Sequence, residues 1–202
     1  QAVNENNARK AEFYAEFKDM GIPALATSAK AMDAAERLFG NNCSTCHGSD
    51  GGGAKGFPNL TDDDWLYSND PASLVATLTN GRAGVMPNLN LSPSDVTVMA
   101  YYVKHLAGEE VSEHVQLEGK KRFATCAACH GQDGTGNKAL GAPNLTDNVW
   151  LHGSRIADIE KILREGKQGN MPSFKAILSQ DEIRLLSAYV LSLSNSAQAS
   201  GE

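Results

Sequence analysis

Apolar residues along the chain recur at helical rather than strand spacing, and strand signals are absent. Residues 4–20 are charged but carry Phe13, Phe17 and Met20 one turn apart, and Gly21 with Pro23 is expected to stop that helix. From about Ala31 a helix leads into Cys43, with Leu38 and Phe39 as its apolar step. Residues 71–80 predict a helix capped by Asp70, opened by Pro71 and ended at Gly81. Ser92, Pro93 and Asp95 open another, which runs to about Leu106 before Gly108. The order then recurs: a helix into Cys126, one near 154–165 ended by Gly166, and one from Ser179 to about Leu193. Residues 107–112 read as a short polar joint, and the small polar residues 195–202 as a disordered tail.

The recurrence is also a repeat of letters. Cys43-Ser44-Thr45-Cys46-His47 returns as Cys126-Ala127-Ala128-Cys129-His130, shifted by 83 positions. Pro58-Asn59-Leu60-Thr61-Asp62 returns as Pro143-Asn144-Leu145-Thr146-Asp147, shifted by 85, with Trp65 and Trp150 closing the match. Met86-Pro87 returns as Met171-Pro172, and Tyr102-Val103 as Tyr189-Val190. A tandem duplication follows, with an N-terminal helical arm over 1–30, one domain over 31–108, a second over 109–195 and a tail over 196–202. The fold class is all-α, each unit being a few short helices around long loops.

Composition changes this picture in three ways. A unit of about 80 residues buries little apolar surface and is marginal alone, so something other than side chains is expected to fill its centre. A formal charge of −6 excludes nucleic acid as a natural partner, because phosphate binding needs a basic face. Residues 34–108 carry seven acidic against four basic side chains, densest at Asp62-Asp63-Asp64, which suits a basic protein partner or is simply a solvated loop. No stretch approaches the roughly 20 apolar residues that cross a bilayer. The start at Gln1 reads as a processed or trimmed product whose anchor or export signal has been removed.

All four cysteines lie in the two Cys-x-x-Cys pairs, each followed by His. Two thiols one helical turn apart reach both vinyl groups of one porphyrin, and the adjacent His then lies under the iron. Zinc would need four ligands per site where each unit offers two Cys and one His, and a thioredoxin-like reading needs a βαβ context. Covalent haem c, two per chain, is therefore the expected cofactor, held by Cys43, Cys46, Cys126 and Cys129 with His47 and His130 as metal ligands. Met86 and Met171 occupy equivalent Gly-x-x-Gly-x-Met-Pro contexts and are the candidate second axial ligands, the alternative being core packing. An iron with both axial positions filled transfers electrons and binds neither oxygen nor peroxide. Trp65, Trp150 and Tyr67 are haem-edge or core residues, and Arg82 and Lys167 are propionate partners or solvated charges. His105, His114 and His152 have no repeated partner and read as surface residues.

The Pro-Asn-Leu segments resemble those of class I cytochromes c, in which the proline carbonyl accepts the axial His Nδ1–H. The resemblance implies that Pro58 orients His47 and Pro143 orients His130, against an ordinary turn proline. Residues 58–67 and 142–151, with the paired haem motifs and Met-Pro, look like the di-haem subunit (CcoP, or FixP) of cbb-type haem–copper cytochrome c oxidases over about residues 32–194. That family implies a membrane-anchored subunit on the bacterial periplasmic side of the inner membrane. It would accept electrons from a donor c-type cytochrome and pass them to the mono-haem and catalytic subunits, with no bond chemistry of its own. A free di-haem shuttle and a di-haem peroxidase remain alternatives.

Overall fold

The computed structural model describes residues 12–199. Its regular elements are helices α1 (Ile22–Ala26), α2 (Ala29–Asn42), α3 (Ser44–His47), α4 (Pro71–Asn80), α5 (Pro93–Leu106), α6 (Glu113–His130), α7 (Ile156–Glu165) and α8 (Gln180–Ala199), with strands β1 (Arg82–Met86) and β2 (Lys167–Met171). About half of the chain is helical.

Local chemistry sets these boundaries. Ser28, Asp70, Ser92 and Ser112 each accept a backbone N–H of the first turn of the helix they precede. Ser179 and Glu182 close a reciprocal capping box: the Ser179 hydroxyl accepts the Glu182 N–H at 3.3 Å, and the Glu182 carboxylate accepts the Ser179 N–H at 2.9 Å. The arm's helical residues, 12–15, give way to turns before Gly21 as expected, and Gly21 then caps α1 with Pro23 in its first turn, where proline forfeits no hydrogen bond. In the arm Phe17 is buried and Met20 packs beside it, but Tyr14 takes the inner position expected of Phe13, which is exposed. The rest of the arm's predicted helix, residues 4–11, lies outside the described residues. The last helix continues to Ala199, beyond the predicted end near Leu193, and residues 200–202 are also outside the described part.

The expected absence of strands is corrected by a two-stranded antiparallel ribbon, with Arg82 opposite Met171 and Met86 opposite Lys167. Arg-Ala-Gly-Val-Met and Lys-Gln-Gly-Asn-Met carry no apolar alternation, so the pairing comes from main-chain hydrogen bonds that side chains do not announce.

Packing joins the two repeats. By homology α5 corresponds to α8, and α2–α3 to α6. Yet α2 and α4 pack on α8, whereas α6 and α7 pack on α5. One core gathers Phe39, Cys43, Leu74 and Leu78 from the first repeat with Phe174, Leu178, Ile183, Leu186 and Val190 from the second. Another gathers Val96, Met99, Ala100, Tyr102 and Val103 from the first with Phe123, Ala127, Ile159 and Leu163 from the second. The repeats thus exchange everything C-terminal to their strands. A third core fixes the arm, Tyr14, Phe17 and Leu25 meeting Ala31, Ala35, Leu185 and Ala188.

Candidate functional site

Each Cys-x-x-Cys-His segment ends a helix and runs into a glycine at φ near +80°, which turns the chain back beneath the histidine. The loop that follows is built alike in both repeats. Gly53 N–H donates to the His47 carbonyl at 2.7 Å, and Gly136 N–H to that of His130 at 2.8 Å. Leu60 N–H donates to Gly51 and Leu145 N–H to Gly134, both at 2.7 Å. Asn59 Oδ1 accepts both the amide and the hydroxyl of Thr61, as Asn144 Oδ1 does from Thr146, so the Pro-Asn-Leu-Thr letters encode an Asx turn.

These turns aim a carbonyl at each imidazole. His47 Nδ1 lies 2.9 Å from the Pro58 oxygen, and His130 Nδ1 lies 3.0 Å from the Pro143 oxygen. Both rings are buried. With Nδ1–H donated to the carbonyl, the Nε2 lone pair is left free to bind a metal, and the ring is fixed in one tautomer.

The thiols differ in exposure. Cys43 is buried and Cys126 half-buried, whereas Cys46 and Cys129 are exposed. Burial, reinforced by the adjacent Cys46, pushes the Cys43 thiol up to about 11, and burial with Cys129 raises that of Cys126. A dithiol redox site depends on a depressed thiol pKa, and Cys43 and Cys126 are shifted the other way. Among the described residues, no group of three or more His, Cys, Asp or Glu side chains could hold a metal ion, which weighs against zinc.

Met171 packs on the core that contains Cys43, beside Leu60 and Trp65; Met86 packs on the other, beside Cys126, Leu145 and Trp150. Each core thus takes in a cysteine of one Cys-x-x-Cys-His segment and the methionine of a Met-Pro turn, and with the two oriented imidazoles these donor types fit haem c. The Trp65 indole donates to the Asp62 carbonyl at 3.1 Å, and the Lys104 ammonium lies over the Trp150 ring at 4.7 Å. Arg82 is engaged by the protein itself: its Nε donates to Thr77 Oγ1 at 2.8 Å and its guanidinium lies 4.2 Å from the Tyr67 ring. Lys167 and His114 are exposed, His105 Nδ1 lies 3.1 Å from the Glu109 carbonyl, and burial lowers the pKa of half-buried His152. Sequence reasoning missed Gly53 and Gly136, where a Cβ would come within 2.6 Å and 2.7 Å of the proline loop's backbone. Their recurrence at the repeat offset is the signal that could have found them.

The family described as cytochrome C oxidase, cbb3-type, subunit III matches this chain twice, over residues 30–103 and 117–190. The chain is 45% identical over 198 residues to the cbb3-type cytochrome c oxidase subunit CcoP of Rubrivivax gelatinosus, covering 96% of this chain and 65% of that protein. It is 38% identical over 185 residues to subunit FixP of Bradyrhizobium diazoefficiens, covering 85% and 63% respectively. It therefore spans somewhat less than two thirds of the length of these relatives. Each family match takes in one Cys-x-x-Cys-His segment, one Pro-Asn-Leu loop and one Met-Pro turn, and the chain belongs to the cbb3-type cytochrome c oxidase subunit III family.

Proposed function

We propose that the chain is a di-haem electron-transfer cytochrome that receives electrons from a donor c-type cytochrome and passes them to the mono-haem and catalytic subunits of a cbb3-type oxidase. Its two units are class I cytochrome c-like, and it works on the periplasmic side of the bacterial inner membrane. Among the described residues no helix is long and apolar enough to cross a membrane.

The observation that carries this reading is the pair of His Nδ1 to Pro carbonyl contacts, each beside its own Cys-x-x-Cys pair. Bound haem supplies a one-electron iron couple. Cys43 with Cys46, and Cys126 with Cys129, would form the thioethers that hold it. His47 and His130 would bind the iron through Nε2, and the Pro58 and Pro143 carbonyls hold the rings in register and would raise their basicity. Met86 and Met171 would hold the iron through their thioether sulfurs, a soft donor that favours the ferrous state. Trp65 and Trp150 close the rim of each site. Asp62 and Asp64, whose carboxyls are raised by burial and by nearby acids including Asp147, form an acidic surface suited to a basic donor.

Acid–acetone extraction of the holoprotein tests the assignment. Two haems per chain should remain with the polypeptide, and haem passing into the acetone phase or a residual content near one would overturn it.

A further inference from the structure

We infer that Lys104 is a positioning residue for the electron: its buried ammonium makes the haem of Cys126, Cys129 and His130 the easier of the two to reduce, so that the electron of a half-reduced chain rests there. This inference rests on the haem assignment proposed above and deepens it, because the repeated motifs alone offer both irons the same donors.

The first observation is burial. Lys104 stands in α5 with only 11% of its side chain exposed, where a charge is costly to hold. Its ammonium lies 4.7 Å from the centre of the Trp150 ring and 2.6 Å from a Glu109 carboxylate oxygen. Trp150 packs on the same core as Cys126, Met86 and Leu145, so the cation sits against the wall of one haem site. Glu109 offsets part of its charge. That carboxylate is 56% exposed, however, so water screens it while the ammonium is screened far less.

The second observation is the repeat. Tyr102-Val103 corresponds to Tyr189-Val190, which puts Leu191 in the place of Lys104. Leu191 packs on the Cys43 core, as Trp65 does, so an aliphatic side chain serves one site where a cation serves the other. The residues ahead of the tryptophans differ in the same sense: Asp63-Asp64 precedes Trp65, whereas Asn148-Val149 precedes Trp150. Asp63 is exposed, and half-buried Asp64 has Lys138 near enough to temper it, so Lys104 carries more of the difference. Among the described residues, the buried charged side chain besides Lys104 and the two ligand histidines is Glu182. It is a carboxylate on α8, the helix against α2 and α4, and its sign acts in the same direction.

Electrostatics turns this asymmetry into a preference. A ferrous haem carries one more negative charge than a ferric one, so a buried cation nearby stabilises the reduced form. Sharing one electron between the two sites exchanges a ferrous first and ferric second iron for a ferric first and ferrous second, moving one electron and no proton. Lys104 biases that equilibrium toward the second site. It touches neither iron and acts through the field it sets up across the Trp150 ring.

Holoprotein labelled with ¹⁵N-tryptophan and reduced stepwise at set potentials tests this by NMR. The chain has two tryptophans, one on each haem-side core, and a ferric iron shifts the indole resonance beside it, so each indole N–H reports the midpoint of its own haem. In the wild type Trp150 should reach its reduced position at the higher potential. Lys104→Leu, which installs the residue of the other repeat, should lower the Trp150 midpoint and leave Trp65 nearly still. The expected loss is roughly tenfold in the electron-sharing constant, or about 59 mV for a one-electron couple. Lys104→Arg should keep the wild-type midpoint. Glu109→Gln, which retains Lys104 and changes only an exposed carboxylate, should raise it. Trp65 reduced first in the wild type, an unmoved Trp150 midpoint in Lys104→Leu, or an equal fall in Lys104→Arg would overturn the inference. So would a Trp150 midpoint that stays or falls in Glu109→Gln. Loss of haem in the acid–acetone extraction would instead overturn the haem assignment itself.

Discussion

Backbone space, more than side-chain chemistry, decides whether each imidazole meets its carbonyl. Gly53 and Gly136 have φ of +73° and +85°, and a Cβ at either would press on the backbone around Pro58 or Pro143. The left-handed conformation costs a non-glycine residue about 1–2 kcal/mol, and the collision adds a similar amount. Gly136→Ala should therefore lower stability by about 2–4 kcal/mol in a denaturant titration. Gly84→Ala, where a Cβ has open space and φ is not positive, should cost much less, about 1 kcal/mol or under. Equal losses for the two variants would show that the loop yields easily. At this scale the sequence was informative, because cysteine, histidine and Pro-Asn-Leu-Thr chemistry is local and every partner lies within about a dozen residues. The side chains of the rim were less legible: nothing in the letters showed that Arg82 bonds Thr77 and Ser73 in the helix before it.

Helices announced themselves through caps and prolines, whereas the strands, lacking apolar alternation, did not. The arm was legible as a helix-spaced segment, but its docking site was not, since nothing in residues 12–26 names α8 as a partner. That docking has a titratable contact at its centre. The Tyr14 hydroxyl donates to the Glu182 carboxylate at 3.4 Å, and burial together with that carboxylate pushes the phenol up to about 12. An unfolded tyrosine releases its proton near pH 10, so the folded chain keeps a proton that the unfolded chain loses. The stability contribution is full below pH about 10 and drains as pH rises from about 10 to about 12. Tyr14→Phe retains the ring and removes the titration, so its stability should fall less steeply than wild type across that window. Tyr102 and Tyr189, raised by burial, titrate in both proteins and cancel in the comparison. Parallel slopes would show that the contact contributes nothing.

For the whole molecule, the duplication was plain in the letters, but the exchange of halves could not be. Homologous segments carry the same pattern, and the pattern says that a helix like α5 or α8 must cover a helix like α2 or α6 without saying which copy does so. The exchange has a thermodynamic signature. Both haem-side cores contain residues from both repeats, so neither can unfold while the other keeps its packing. Urea unfolding of the holoprotein, followed by tryptophan fluorescence and by helical circular dichroism, should give one coincident transition with a slope set by the whole chain. Two separated transitions would mean that each repeat folds by itself.

Electron transfer without bond chemistry requires both irons to be closed, which imidazole on one side and thioether on the other would achieve. The direct measurement is the reaction of the fully reduced holoprotein with carbon monoxide at neutral pH, followed by absorbance. Two filled axial positions predict a low-spin ferrous spectrum that the gas leaves unchanged at both haems. Rapid, stoichiometric formation of a carbon monoxide adduct at either haem would reveal an open iron and contradict the assignment of this chain to electron transfer alone.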